Sequence, residues 1–164
     1  MHTSNISFRQ FLTMCSVVIT LFLTGCSSFE IARPFEQIIT DPKADNYLVV
    51  VTFTEYRDQA SAEDNFDHLV DEIVENMQQV DGLVGYSVRK DLFQNRAWTY
   101  TIWQKADDIN QFKTSGAHLK AMIAAPKLLD TATFARTTIS AEQLPYSWEE
   151  ALSLLSENGR TYNF

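Results

Sequence analysis

The chain has 164 residues, of which 45% are hydrophobic and 12% aromatic, so its length and apolar content suit one domain with one core rather than two. Its formal net charge is −8, and no cluster of Lys or Arg interrupts the acidic balance. Nucleic acids and anionic lipid headgroups both attract proteins through such clusters. The composition therefore excludes a nucleic-acid partner, and it requires an anchor for any attachment to a membrane.

The first 25 residues have the pattern of a secretory signal. Arg9 precedes a mainly apolar stretch over residues 11–23 that is too short to span a bilayer comfortably. Residues 23–26, of sequence LTGC, resemble the lipobox of bacterial lipoproteins. That resemblance implies cleavage before Cys26 and lipid attachment to its sulfur, and Ser27 in the place of an Asp implies delivery to the periplasmic face of the outer membrane. An uncleaved signal anchor with an incidental cysteine is the alternative.

Cleavage at this position limits the chemistry of the rest of the chain. Cys15 would leave with the signal over residues 1–25, and lipidated Cys26 would be the last cysteine. No thiol is then left for a disulfide or a zinc site, and no metal-spaced His cluster stands out, so we expect no bound metal. Residues 26–45 contain two prolines and no sustained periodicity, and they are predicted to be a tether whose middle docks on the domain.

The globular domain is predicted over residues 46–143. Its first strand covers residues 47–56, where β-branched residues are frequent and both faces are apolar at the start, as in a central strand. Apolar residues then recur at the spacing of one helix face over residues 61–80, and Gly82 ends this helix.

The rest of the domain is predicted to contain a hairpin, two short helices and a fourth strand. In the second hairpin strand, Trp98 and Tyr100 should face away from Trp103, because side chains alternate along a strand. The elements are strands over residues 83–91 and 96–104 joined by a turn, helices from Asp107 to the break at Ser115 and over residues 117–125 before Pro126, and a strand over residues 131–140.

Residues 144–164 are predicted to add a C-terminal helix and tail. Ser147 and Glu150 have the spacing of a capping box, and Gly159 follows the last apolar residues of the helix. The order of elements predicts an α+β fold, a ferredoxin-like βαββαβ sandwich with helices on one face of an antiparallel sheet. Because the other face is also apolar, we expect a second copy to cover it in a homodimer closed sheet to sheet.

Three segments between residues 96 and 121 resemble the antibiotic biosynthesis monooxygenase (ABM) family, within a similarity that spans roughly residues 47–140. They read RAWTYTIW, then an acidic helix, then SGAHLKA, and Trp103 and His118 match the strand-end tryptophan and the helix-opening histidine of the family. The resemblance implies a dimeric α/β barrel with a pocket between sheet and helices in each subunit. Its members include cofactor-free oxygenases, haem-degrading enzymes and domains of no known activity.

The haem-degrading branch of that family also uses an Asn on the first strand and a second His one helical turn beyond the first. This chain has Thr52 and Thr54 on the strand and Met122 on the helix. We therefore expect no haem and no other cofactor.

The candidate site residues have two interpretations each. His118 could transfer a proton near neutral pH, or it could be a half-buried histidine bonded to the backbone. The aromatic residues could stack against a flat ligand, or they could fill the core and a dimer interface. The candidates for a ligand pocket are Tyr86, Trp98, Tyr100, Trp103, His118 and Met122.

Three functions are left open by the sequence. An envelope lipoprotein could bind a small aromatic or apolar ligand without catalysis. It could instead be a cofactor-independent monooxygenase for a phenolic or polycyclic substrate, with Trp103 shaping the pocket and His118 moving a proton. A structural or protein-interaction lipoprotein is the third possibility. An open cavity that touches both Trp103 and His118 would favour the first two, and a packed one would favour the third.

Overall fold

The computed structural model describes residues 30–39, 43–57, 60–91, 93–114 and 116–164. Within these ranges the chain forms one seven-stranded sheet of order β1-β4-β5-β3-β6-β7, with β2 also paired to β4. The strands are β1 Glu30–Ala32, β2 Glu36–Gln37, β3 Asn46–Tyr56, β4 Leu83–Asp91, β5 Arg96–Trp103, β6 Leu129–Ser140 and β7 Arg160–Asn163. The α-helices of the same ranges are α1 Ala60–Met77, α2 Ala106–Lys113, α3 Gly116–Leu128 and α4 Trp148–Asn158.

The predicted ferredoxin-like order is confirmed. Strand β3 lies between β5 and β6, and β4 and β5 form the expected hairpin. The capping box of α4 is also present, since the Ser147 hydroxyl accepts the Glu150 N–H and the Glu150 carboxylate accepts the Ser147 N–H. These features depend on neighbours close in sequence, which is why local patterns predicted them.

The predicted end of the second short helix before Pro126 is wrong. Helix α3 continues through Pro126 to Leu128. A proline in the last turn removes only the hydrogen bond to the carbonyl four residues earlier, that of Met122. Both residues lie on the exposed side of the helix, where water can replace the missing donor.

Alternation along the central strands divides the core into two layers. On one face of the sheet, Tyr47 and Val49 of β3 are fully buried beside Tyr100 and Ile102 of β5. On the other face, helices α1 and α2 cover a second cluster made of Met77, Leu83, Tyr86, Trp103, Ile109 and Phe112. We call these the α4 face and the helix face.

The prediction of helices on one face only is wrong. Helix α4 packs across the first layer, where Ala151 is 0% exposed, and Trp148, Leu154 and Leu155 lie around it. The expected second copy was inferred from an open apolar face, and α4 supplies that cover from the same chain. The open apolar face therefore no longer supports a homodimer. The homodimer stays a prediction that is supported by the ABM resemblance.

The middle of the predicted tether docks on the sheet, as expected. Strands β1 and β2 pair with β4, and Phe35 and Ile39 pack on the α4-face core. Gly85 makes this approach possible, because a Cβ at that position would lie 2.3 Å from the ring of Phe35.

The predicted signal over residues 1–25 and the lipid site at Cys26 lie outside the described residues. No helix of the described residues is long and apolar enough to cross a membrane.

Candidate functional site

Trp103 ends β5 in the interior of the helix face. Its side chain is 1% exposed, and its indole N–H donates to the Thr101 hydroxyl at 2.8 Å. The ring of Phe112, from α2, lies with its centroid 5.3 Å from that of Trp103. Trp103 is therefore packed as a core residue, with its one polar group already bonded.

His118 lies in the first turn of α3 and contacts the same phenylalanine. The centroids of the His118 and Phe112 rings are 4.6 Å apart. Burial lowers the pKa of His118, and the backbone carbonyl of Lys113 offsets part of that effect. The Nδ1 atom is buried and makes no hydrogen bond with the residues that the structure describes. The imidazole is therefore neutral at neutral pH and able to accept a proton.

Phe112 contacts both Trp103 and His118, the two residues that resemble the ABM family. We call these two residues the ABM-like pair. Phe112 is 8% exposed, and its ring contacts the rings of both Trp103 and His118. The cluster is thus packed where the family resemblance implies a ligand pocket. Phe112 therefore occupies space next to both Trp103 and His118.

Tyr86 shares the helix face with Trp103, but the tether occupies its hydroxyl. The hydroxyl donates to the Glu36 carboxylate at 2.7 Å and accepts from the Gln78 amide at 3.0 Å. Burial first, and then the bond to Glu36, raise the pKa of Tyr86. This hydroxyl is held by structural contacts, and it stays protonated at neutral pH.

Two other candidates lie on the opposite face of the sheet. The Tyr100 hydroxyl donates to the Tyr146 carbonyl at 2.7 Å, and its ring meets that of Trp148 edge-on at 4.8 Å. Trp98 packs against Phe53 with a centroid distance of 5.2 Å. Because β5 alternates, Trp98 and Tyr100 cannot share a pocket with Trp103.

Met122 lies on the outer side of α3 and is 54% exposed. The six predicted pocket residues are therefore divided among two sheet faces and an outer helix surface. The structure does not bring them around one cavity.

A groove of about 310 Å³ does lie on the α4 face, where α4 leaves the outer part of β3, β5 and β6 uncovered. Of the predicted pocket residues it contains Trp98 alone. The sequence analysis did not identify the other lining residues, because the way α4 docks on the sheet brings them together. The groove is lined by Phe53, Arg96, Trp98, Thr133, Leu152, Leu155 and Ser156.

The groove is apolar with a polar end. Arg96 forms that end, and its guanidinium is already bonded to Glu55 at 3.1 Å and to Gln94 at 2.6 Å. The guanidinium of Arg89 lies 5.7 Å from the Trp98 ring, in the range of a cation–π contact. Two aromatic rings and two leucines thus offer stacking and apolar contact, without an unpaired charge at the base.

A second groove of about 310 Å³ lies between α1 and α3. It includes His68, which is mostly exposed and lies 3.5 Å from Glu72. Among the described residues there is no group of three His, Cys, Asp or Glu side chains able to hold a metal ion. The lining of this groove contains no Phe, Tyr or Trp, so it offers less aromatic surface than the groove on the α4 face.

The sequence matches no protein-family model, and no curated protein is significantly similar to it. The fold, however, is similar to several solved structures. A proposed monooxygenase from Fusobacterium nucleatum has a TM-score of 0.56 at 12% identity, over 93% of this chain and 64% of its own. Protein SO0527 from Shewanella oneidensis has a TM-score of 0.51 at 9% identity, over 65% of this chain and 97% of its own.

Protein PA3566 from Pseudomonas aeruginosa has a TM-score of 0.51 at 13% identity, over 58% of this chain and 96% of its own. At these identities the likeness is one of fold. The chain shares with these structures an α+β fold that has an antiparallel sheet and α-helices, which confirms the fold class predicted from the sequence. Function has to be argued from the residues of this chain.

Proposed function

We propose that this chain is a lipid-anchored protein of the cell envelope whose ABM-like domain binds a small aromatic or apolar ligand without catalysis. The LTGC sequence at residues 23–26 supports the anchor on Cys26 and a place on the periplasmic face of the outer membrane. The ligand site is the groove between α4 and the sheet.

The single observation that carries the binding proposal is the aromatic lining of this groove. Phe53 and Trp98 lie side by side, and Leu152 and Leu155 of α4 form the facing wall. Small-molecule sites are typically concave, mostly apolar and about 300–1,000 Å³ in volume, with few polar groups. The volume of the groove is at the lower end of that range and the groove is shallow and open to solvent, so it suits a flat ligand of one or two rings that stacks on its aromatic wall.

Catalysis by the ABM-like pair is the second candidate. It is favoured by the buried, neutral imidazole of His118, whose Nδ1 has no hydrogen bond within the described residues. Such a group could take the proton of a phenol in a cofactor-independent monooxygenase. It is disfavoured by the ring of Phe112, which packs against both His118 and Trp103.

The two candidates predict different effects of two substitutions. We would measure binding of 2-naphthol by calorimetry on the lipidated protein in nanodiscs, with empty nanodiscs subtracted, and measure oxygen uptake in parallel. Leu152→Asn should weaken binding about ten-fold, since it loses roughly 1–2 kcal/mol of apolar contact. Leu119→Asn, on an exposed helix surface, is the matched control and should bind normally.

His118→Ala should leave 2-naphthol binding unchanged. Oxygen uptake that depends on the phenol and is lost in His118→Ala would overturn the non-catalytic proposal in favour of the monooxygenase. Absence of binding by the unmodified protein would also overturn it, and would leave the structural or protein-interaction role.

A further inference from the structure

Four of the eight large apolar side chains that are exposed among the described residues lie at one end of the domain. Strand pairing places Ile31 of β1 and Tyr162 of β7 on one transverse row, at opposite edges of the sheet. The row continues through the registered pairs Ile31–Lys90, Lys90–Ala97, Ala97–Thr54, Thr54–Ala132 and Ala132–Tyr162. Ile31 is 48% exposed and Tyr162 is 54% exposed.

Two phenylalanines lie beyond this row at the same end. Phe93 is in the turn between β4 and β5 and is 71% exposed. Phe164 is 45% exposed, and its N–H donates to the Asp130 carbonyl next to the start of β6. We call the surface made of Ile31, Phe93, Tyr162 and Phe164 the apolar end.

Helix α3 terminates at the apolar end, because the Leu128 carbonyl accepts the N–H of Arg57, which follows β3. Its outer side carries Leu119, Met122 and Ile123, which are 41%, 54% and 73% exposed. Their spacing of three and four residues places them in one stripe.

The charges of α3 differ from those of the chain as a whole. The helix contains Lys120 and Lys127 and no acidic residue, although the chain carries a net charge of −8. Both lysines lie along one edge of the apolar stripe, and such an arrangement suits a membrane interface, with the apolar side chains at the acyl boundary and the lysines near phosphates.

Four acidic groups near the apolar end are paired with bases, which reduces their repulsion of anionic headgroups. Each of these pairs joins a carboxylate to a Lys or Arg in the described part of the chain. They are Asp130 with Arg57, Glu55 with Arg96, Asp67 with Lys90 and Glu30 with Arg89.

The path of the chain identifies the surface that would cover this end. Glu30 pairs with Asp91 at the apolar end, and Cys26 is only four residues earlier in the sequence. An extended chain spans at most about 3.6 Å per residue, so the Cα atoms of Cys26 and Glu30 can be at most about 14 Å apart. A lipid on Cys26 would therefore hold the apolar end next to the bilayer.

We propose that the apolar end and the outer side of α3 dock on a phospholipid surface, so that the domain lies on the membrane rather than moving freely on a tether. This rests on the anchor of the proposed function. Insertion of the apolar side chains supplies the contact, and Lys127 meets the phosphates, whereas Lys120 lies 3.5 Å from the Glu72 carboxylate.

Fluorophore quenching tests this directly. The lipidated protein has no other free thiol once Cys15 is removed, so Ile123→Cys can be labelled with bimane and reconstituted in vesicles of phosphatidylethanolamine and phosphatidylglycerol. Brominated lipids should quench this label about two-fold, as expected for a side chain at the acyl boundary. Ala141→Cys is the matched control, because it is exposed at the opposite end of the sheet and should not be quenched.

Equal quenching of the two labels, or none at position 123, would overturn the docking. A label at position 123 that is shielded from aqueous iodide but not quenched by brominated lipid would also overturn it, in favour of self-association. The intact mass of the mature protein tests the anchor separately. Unlipidated protein that is still quenched at position 123 would refute the anchor and support the docking surface.

Discussion

The two faces of the sheet are closed in different ways. The helix face is covered by α1 and α2, which lie between strands in the chain, and Trp103 of β5 is buried beneath them. The α4 face is covered by residues from the two ends of the described chain, with Phe35 and Ile39 before β3 and α4 after β6. The basic βαββαβ unit closes its first face alone, and it closes the second only through these additions.

This difference bears on where a ligand could bind. The helix face is packed at the ABM-like pair, because Phe112 contacts both Trp103 and His118. The α4 face has less complete cover, and a groove is left where α4 does not reach across the outer part of the sheet. The ABM resemblance favours a ligand site on the helix face, whereas the open groove favours a ligand site on the α4 face.

The largest expected effect comes from breaking the contact of α4 with the sheet. Ala151→Asn would place an amide in a fully buried apolar site and should cost roughly 3 kcal/mol in unfolding free energy. Ser153→Asn, on the exposed side of the same helix, is the control and should cost much less. Urea unfolding of both variants measures the difference. Equal midpoints would contradict the packing of α4 on this face.

A smaller effect should separate the buried hydroxyl groups of the two faces. Tyr100→Phe leaves the buried Tyr146 carbonyl without its donor and should cost about 1–2 kcal/mol. Tyr86→Phe removes a bond to Glu36, an exposed residue whose carboxylate water can solvate, so its cost should be lower. The same urea measurement ranks the two variants. The reverse order would show that the bond from the tether to β4 contributes more than the α4-face contact.

The smallest effect is the pH dependence contributed by His118. Because burial lowers its pKa in the folded protein, the unfolded chain binds the proton more readily. The contribution of the neutral imidazole to stability is therefore present above about pH 6.5, the ordinary histidine pKa, and decreases as the pH falls below it. His118→Gln should lose less stability than the original protein between pH 7.5 and pH 5.0. Parallel urea midpoints for the two proteins would show that the imidazole is solvated.

Much of the fold was predictable because its signals are local. The alternation in β3, the helical spacing in α1 and the capping box at Ser147 each involve residues within a few positions of one another. The short strands β1, β2 and β7 were not predicted. They have two to four residues each, too few for a periodic pattern, and they form only by pairing with longer strands.

The candidate site was less predictable for a related reason. The sequence correctly placed Trp98 and Tyr100 opposite Trp103, but it could not show that Phe112 packs against both Trp103 and His118. Nor could it group Phe53 with Leu152, since that depends on the angle and position at which α4 crosses the sheet.

The amino-acid sequence by itself determined the order of the main elements, the face on which each strand residue lies, and the acidic net charge. These follow from periodicity, capping and charge, which are properties of short segments. The tertiary structure alone decided that α4 rather than an open surface closes the second face, and that the ABM-like pair is packed while a groove opens elsewhere. These outcomes depend on contacts between residues far apart in the chain, whose geometry no local pattern encodes.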